Sequence, residues 1–328
     1  MKKVRIDETE YAYVCAKIRA MENRLPTMAR LERLIDASGA EVGFLLKELG
    51  LDVSCGIDEA LDLKLSSELT ELLECVPSES VVKLFLYQYD CNNLKTLIKS
   101  KRRGVSHVGM LFPCGSVSEE SAASAFESGD FSAYPQSLSA AASEAASAFA
   151  STGNPQTVDV LLDRACYLDM LEAAKPHGRV YEWIKMKVDA INSLICLRLI
   201  RMGGVAAEEL LDDMLLYGGD IPLESFKGSL KSGERELAAA LKGSALAPVG
   251  EELERNERIS LGEAEKSFDD LYMSVVKRAK FLPFGAEIVA AYMIALEYAF
   301  KNLRIILAGK EASLDGEVIR GMLRENYV

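Results

Sequence analysis

The chain has 328 residues, 38 of them basic and 50 acidic, for a net charge of −12 at neutral pH. Apolar residues make up 49% and charged residues 27%, which supplies a substantial core and excludes a disordered chain. The negative balance repels phosphate backbones and argues against nucleic acid as a partner, while the length suits two or three domains or a set of repeated units.

Taken from the start, Met1-Lys2-Lys3-Val4-Arg5-Ile6-Asp7-Glu8 turns acidic where a signal peptide needs an apolar run, so a cytoplasmic location is expected. Tyr11, Val14, Cys15, Ile18 and Met21 then recur at helical spacing and predict one buried stripe. Leu31, Leu34 and Ile35 continue an amphipathic pattern beyond the break at Pro26. Further helices are predicted over 81–100, 158–174, 181–202, 264–280 and 287–307, and no alternating β-branched run is bounded by hairpin turns. The fold class expected is all-α.

The stretch 118–151 is rich in Ser and Ala and predicts short helices with small side chains. The charged stretch 251–265 is expected to join two helical modules, with Glu251-Glu252-Leu253-Glu254-Arg255 forming a solvated helical face. The apolar segment 283–300 carries Glu287 and Glu297, so no membrane insertion is expected. The seven cysteines, Cys15, Cys55, Cys75, Cys91, Cys114, Cys166 and Cys196, are scattered and never form a C-x-x-C pair, a pattern of reduced buried thiols.

Internal repeats organise the chain. Leu111-Phe112-Pro113-Cys114-Gly115-Ser116-Val117 recurs 104 residues later as Leu215-Leu216-Tyr217-Gly218-Gly219-Asp220-Ile221. The helices before them also match: Tyr89-Asp90-Cys91-Asn92-Asn93-Leu94-Lys95 with Val188-Asp189-Ala190-Ile191-Asn192-Ser193-Leu194. A third copy, Glu297-Tyr298-Ala299-Phe300-Lys301-Asn302-Leu303-Arg304, keeps an acid and the Asn-Leu-basic core with two extra residues between acid and Asn. The Leu162-Asp163-Arg164 stretch likewise resembles Phe268-Asp269-Asp270 at an offset of 106 residues. Three divergent helical modules account for this, with approximate bounds 1–114, 115–218 and 219–328. Asp-x-x-Asn places both side chains on one helical face, one turn apart, and burying that face requires partners. Asp90, Asn93, Asp189, Asn192, Glu297, Asn302 and Arg304 are therefore expected to form a structural bracket in each module. Each of the three helices ends in basic residues followed by glycine, at Gly104, Gly203 and Gly309, which predicts ordinary C-caps.

Motifs for chemistry are missing. No G-x-G-x-x-G or Walker loop occurs, and Gly309-Lys310 is followed by Glu311. Gly104-Val105-Ser106-His107-Val108-Gly109 departs from a nucleophile elbow, and Ser80-Val81-Val82-Lys83 matches S-x-x-K only as a short pattern. His107 and His177 are the sole histidines; Cys166 reads as core and Trp183 as a packing anchor. No catalytic residue, cofactor, nucleotide or metal site is expected.

The opening Tyr11-Ala12-Tyr13, with Ala16-Lys17-Ile18-Arg19-Ala20 and Arg24-Leu25, resembles the C subunit of the A/V-type rotary ATPases of archaea and bacteria, whose eukaryotic counterpart is the d subunit. Asp90, Asn93-Leu94-Lys95, Ile98-Lys99 and Lys101 resemble that family's repeated helix. So do Pro283-Phe284-Gly285, Glu297, Lys301-Asn302-Leu303-Arg304-Ile305-Ile306-Leu307-Ala308-Gly309-Lys310 and the terminal Leu323-Arg324-Glu325, Tyr327-Val328. The second copy departs at Ser193, where the family more often has Leu, and the Ser/Ala-rich stretch is also unusual. The resemblance implies three modules in a pseudo-threefold funnel. It also implies a non-catalytic role at the cytoplasmic face, between the central-shaft subunits and the membrane rotor ring. A generic helical-repeat scaffold, or a helical enzyme joining a histidine to a carboxylate, are the alternative readings.

Overall fold

The computed structural model describes residues 8–204, 206–256 and 259–328. The N-terminal residues 1–7, residues 257–258 of the charged stretch and the Cys55 side chain lie outside the described residues. Every regular element among the described residues is helical. The chain divides into two compact units, Met1–Val82 with Arg258–Val328, and Lys83–Glu257.

The first unit is organised around the Ala286–Glu311 helix, whose buried side chains include Ile288, Val289, Tyr292, Met293, Leu296 and Leu303. A helix apolar on nearly all sides must be surrounded, and Ala12–Met21 and Met28–Asp36 pack against it. The predicted stripe of the opening segment is buried at Tyr11, Val14, Cys15, Ile18 and Met21, each 3% exposed or less. The Tyr292 hydroxyl donates to Glu68 Oε2 at 2.9 Å. Glu68 also takes Lys64 at 2.8 Å, so this buried carboxylate is satisfied on both sides. Leu261–Val276 begins with a capping box: Glu263 N–H donates to Ser260 Oγ at 3.1 Å, and Ser260 N–H donates to Glu263 Oε2 at 2.8 Å.

The third basic end differs from the expected C-cap. Gly309 lies inside the Ala286–Glu311 helix, and a Cβ there would sit 2.8 Å from Ile319 Cγ1. Its lack of a side chain admits the Gly316–Met322 helix. Lys310 instead serves another helix end, donating to the carbonyls of Ile35 and Ala37 at 2.6 Å each. Gly104 and Gly203 do end their helices, both at φ +65.

In the second unit, Gln136–Thr152 and Pro155–Ala174 form a helical hairpin through Gly153 and Asn154. Asn154 Oδ1 accepts from Gln156 N–H at 3.0 Å, and Pro155 occupies the first helical position. The buried Asp169 carboxylate accepts from Ser137 and Leu138 N–H at 3.0 and 2.8 Å, closing the N-terminus of the first helix of the pair. The Ser/Ala-rich stretch thus forms Glu119–Ser128 and the 17-residue Gln136–Thr152 helix, longer than the short helices expected. Alanine's high helix propensity accounts for the extra length.

Candidate functional site: three asparagine clamps

The Ser80–Arg103 helix carries Asp90 and Asn93, each 1% exposed. Asn93 Nδ2 donates to the Phe112 carbonyl at 3.0 Å, and Phe112 N–H returns a bond to Asn93 Oδ1 at 2.7 Å. The amide thus reads both backbone groups of one residue 19 positions downstream. Asp90 faces the continuation of the same loop, where it accepts from the Ser116 hydroxyl and from Val117 N–H at 3.2 Å. A Cβ on the intervening Gly115 would overlap Asp90 Oδ1.

The Arg179–Met202 helix repeats this construction. Asn192 Nδ2 donates to the Leu216 carbonyl at 2.9 Å and Leu216 N–H donates to Asn192 Oδ1 at 2.8 Å, 24 residues downstream. Asp189 accepts Asp220 N–H at 2.9 Å and Ile221 N–H at 3.2 Å, and a Cβ on Gly219 would overlap its Oδ1. Phe112 with Leu216, Gly115 with Gly219, and Val117 with Ile221 are the residues related by the sequence offset of 104. Ser193 donates its hydroxyl to the Asp189 carbonyl at 2.6 Å and is satisfied within its own helix.

At the third copy, Asn302 Nδ2 donates to the Arg324 carbonyl at 3.0 Å and Arg324 N–H donates to Asn302 Oδ1 at 2.8 Å, 22 residues downstream. The carboxylate here comes from a different helix. Asp269 accepts from Arg324 Nε at 3.1 Å, Lys301 Nζ at 2.6 Å and the Tyr298 hydroxyl at 2.8 Å. Glu265 adds bonds to Arg324 Nη2 at 3.0 Å and to Lys301 at 2.8 Å. Glu297 is half-buried, and Arg304 turns outward to Asp58 and Asp62 at 3.3 and 3.0 Å. Asn302 therefore holds the Arg324 backbone while Asp269 meets the Arg324 guanidinium, and Arg304 faces a separate ion pair.

The Asp-x-x-Asn spacing does not single out Asp269 or Arg324 as parts of a clamp. The signal for Asp269 is its offset of 106 from Asp163. Each carboxylate takes a lysine from the adjoining clamp helix: Lys95 reaches Asp163 at 2.6 Å and Lys301 reaches Asp269 at 2.6 Å.

Burial raises the Asp189 pKa to about 6, with the Asp220 and Ile221 N–H groups opposing the shift. Burial also raises Asp90, opposed by its bonds from Ser116 and Val117. The side chains considered for chemistry stand elsewhere. His177 is buried at the end of the Lys175–His177 turn, and burial lowers its pKa. Cys166 is buried with its Sγ 3.9 Å from Met170 Sδ, and Trp183 is 5% exposed. Among the described residues no group of three or more His, Cys, Asp or Glu is arranged to hold a metal ion. None of the described helices is long and apolar enough to cross a membrane. The clamps join neutral amides to backbone and carboxylates to N–H donors, an arrangement that fixes loops to helices.

The chain is similar along nearly all of its length to rotary ATPase subunits. It is 27% identical to the C subunit of the A-type ATP synthase of Methanocaldococcus jannaschii, over 98% of this chain and 88% of that protein. It is 25% identical to the C subunit of the V-type ATP synthase of Thermus thermophilus, covering 90% and 93%. It is 22% identical to the C subunit of the V-type sodium ATPase of Enterococcus hirae, covering 97% and 99%. The family model described as ATP synthase (C/AC39) subunit matches residues 14–322, so the chain belongs to that family.

Proposed function

We propose that this chain is a non-catalytic subunit of the central stalk of an A/V-type rotary ATPase, joining the shaft to the membrane rotor ring. The observation that carries this reading is the family match across residues 14–322. The clamps support it physically. A coupler transmits torque only if its loops move with its helices, and each Asn removes two degrees of looseness by holding both the N–H and the C=O of one loop residue. We assign one clamp to each of three modules, bounded near residues 114 and 218.

On this reading the partners are the shaft subunits and the rotor ring, and the chain rests at the cytoplasmic face through those protein contacts. A surface with a net charge of −12 is poorly suited to an anionic lipid headgroup layer. Nucleotide hydrolysis and ion transfer belong to other subunits. The test is purification of the complex from native membranes with and without this chain. With it, shaft and ring co-purify; without it, the soluble sector still hydrolyses ATP but ion movement is uncoupled. Coupled ion transport in the complex lacking this chain would overturn the proposal.

A further inference from the structure

The second unit contains a cleft of about 510 Å³, in the size range of small-molecule sites. Two features of the sequence that the coupling role leaves unused create it. The first is the Ser/Ala-rich stretch: Ser143, Ala146 and Ala150 line one face of the Gln136–Thr152 helix and leave volume unfilled. Phe149 of the same helix lines the cleft too, and Phe126, Phe131 and Ile98 from other segments complete its apolar walls. The second is the basic end of the Ser80–Arg103 helix, which places Lys101 and Arg102 in the lining.

Both cations lie against the aromatic walls of the cleft. Lys101 Nζ lies 4.9 Å above the Phe126 ring, and the Arg102 guanidinium lies 5.2 Å from the Phe149 ring. Arg102 Nη1 donates to the Ala150 carbonyl at 2.8 Å. Neither pairs with a carboxylate among the described residues, although the chain carries 50 acidic residues. An apolar cleft flanked by two cations that have no carboxylate partner among the described residues complements a ligand with one apolar body and one negative end.

We propose that this cleft binds a free medium-chain carboxylate, the fatty-acid class of anion. The chain lies among the three phenylalanines and the carboxylate meets Lys101 and Arg102. The volume of about 510 Å³ accommodates one medium-length acyl chain.

Calorimetric titration of the purified full-length chain with decanoate, decanol and decyltrimethylammonium tests this, beside sedimentation with vesicles of phosphatidylglycerol and phosphatidylcholine. Decanoate is expected to bind one to one, about tenfold or more tighter than decanol, with the cationic amphiphile weaker still. From hexanoate to decanoate each added methylene should raise affinity about three- to fourfold. Ala150→Leu, at an exposed position, should weaken decanoate about tenfold without changing the melting temperature. The double variant Lys101→Gln/Arg102→Gln should bring decanoate down to the level of decanol. Equal binding of the three head groups, a flat chain-length series, or undiminished affinity in Ala150→Leu would each overturn the proposal. So would sedimentation with the anionic vesicles when free decanoate does not bind.

Discussion

The second and third clamps solve one problem with opposite electrostatics. Asn192 and Asn302 make the same paired bond to one loop residue, at distances that agree within 0.1 Å: 2.9 and 2.8 Å against 3.0 and 2.8 Å. The carboxylates beside them differ. Asp189 receives only backbone N–H groups, and burial raises it to about 6. Asp269 instead receives a guanidinium, an ammonium and a phenol. The difference follows from what each clamped residue brings with it. After Leu216 comes a glycine-containing loop whose amides approach Asp189, whereas Arg324 carries a charged side chain of its own. That guanidinium takes the place of the loop amides, and Asp269 supplies the charge it needs. The amide clamp is therefore the common element, and the acid adapts to the groups that happen to face it.

The comparison makes Asp269 the most sensitive position. Its ion pair with Arg324 is 6% and 8% exposed, so Asp269→Ala takes one of two carboxylates from a buried guanidinium, leaves it Glu265 at 3.0 Å, and should cost about 3 kcal/mol. Thermal or urea unfolding reads this, with lost hydrogen-exchange protection expected in the unit Met1–Val82 with Arg258–Val328. A change below about 1 kcal/mol would mean that the third clamp stands without its acid. Asn192→Leu comes next: it leaves the Leu216 N–H and C=O buried without partners, at a cost of about 1–3 kcal/mol. Here the loss of protection should fall within Lys83–Glu257, and an unchanged melting temperature would remove the clamp from the account of stiffness. Gly219→Ala pushes a methyl into Asp189 Oδ1 and should also cost about 1–3 kcal/mol. If the cost arises from that overlap, the combined Gly219→Ala/Asp189→Gly variant should lose less than the sum of the two single changes.

The helices and the first two clamps were legible because both periodicity and repetition lie on the surface of the sequence. Tyr11, Val14, Cys15, Ile18 and Met21 needed only their spacing, and Asp90 with Asn93 needed only the second copy at Asp189 and Asn192. The loop partners were visible too, since Phe112 and Leu216 share the offset of 104, but nothing in a side chain announces that its backbone will be bonded. The third clamp was harder. Glu297 shares its helix with Asn302, whereas the acid that closes the site is Asp269, 33 residues before Asn302. Pairing between separate helices leaves no periodic trace. Gly309 misled for a related reason: a glycine after basic residues reads as a C-cap, and only the approach of Ile319 shows that it admits a neighbour.

The smallest expected effect separates the two carboxylate arrangements by pH. Asp189 holds its proton to about pH 6 in the folded chain and to about pH 3.9 when unfolded, so the folded state binds more protons between those values. Stability from this group is complete below the unfolded pKa and is lost as pH rises through the folded one. Lys185 lowers the Asp189 pKa and Asp220 raises it, and both act on a carboxyl whose dominant influence is burial. Relative to Asp189→Asn, which cannot titrate, the wild-type chain should therefore lose about 1 kcal/mol from pH 5 to pH 7. Melting temperatures of the two proteins, compared at several pH values in that interval, measure the difference directly. A difference that stays constant would show that the backbone N–H donors outweigh burial at Asp189. The second clamp would then be as indifferent to protons as a clamp closed by an amide alone.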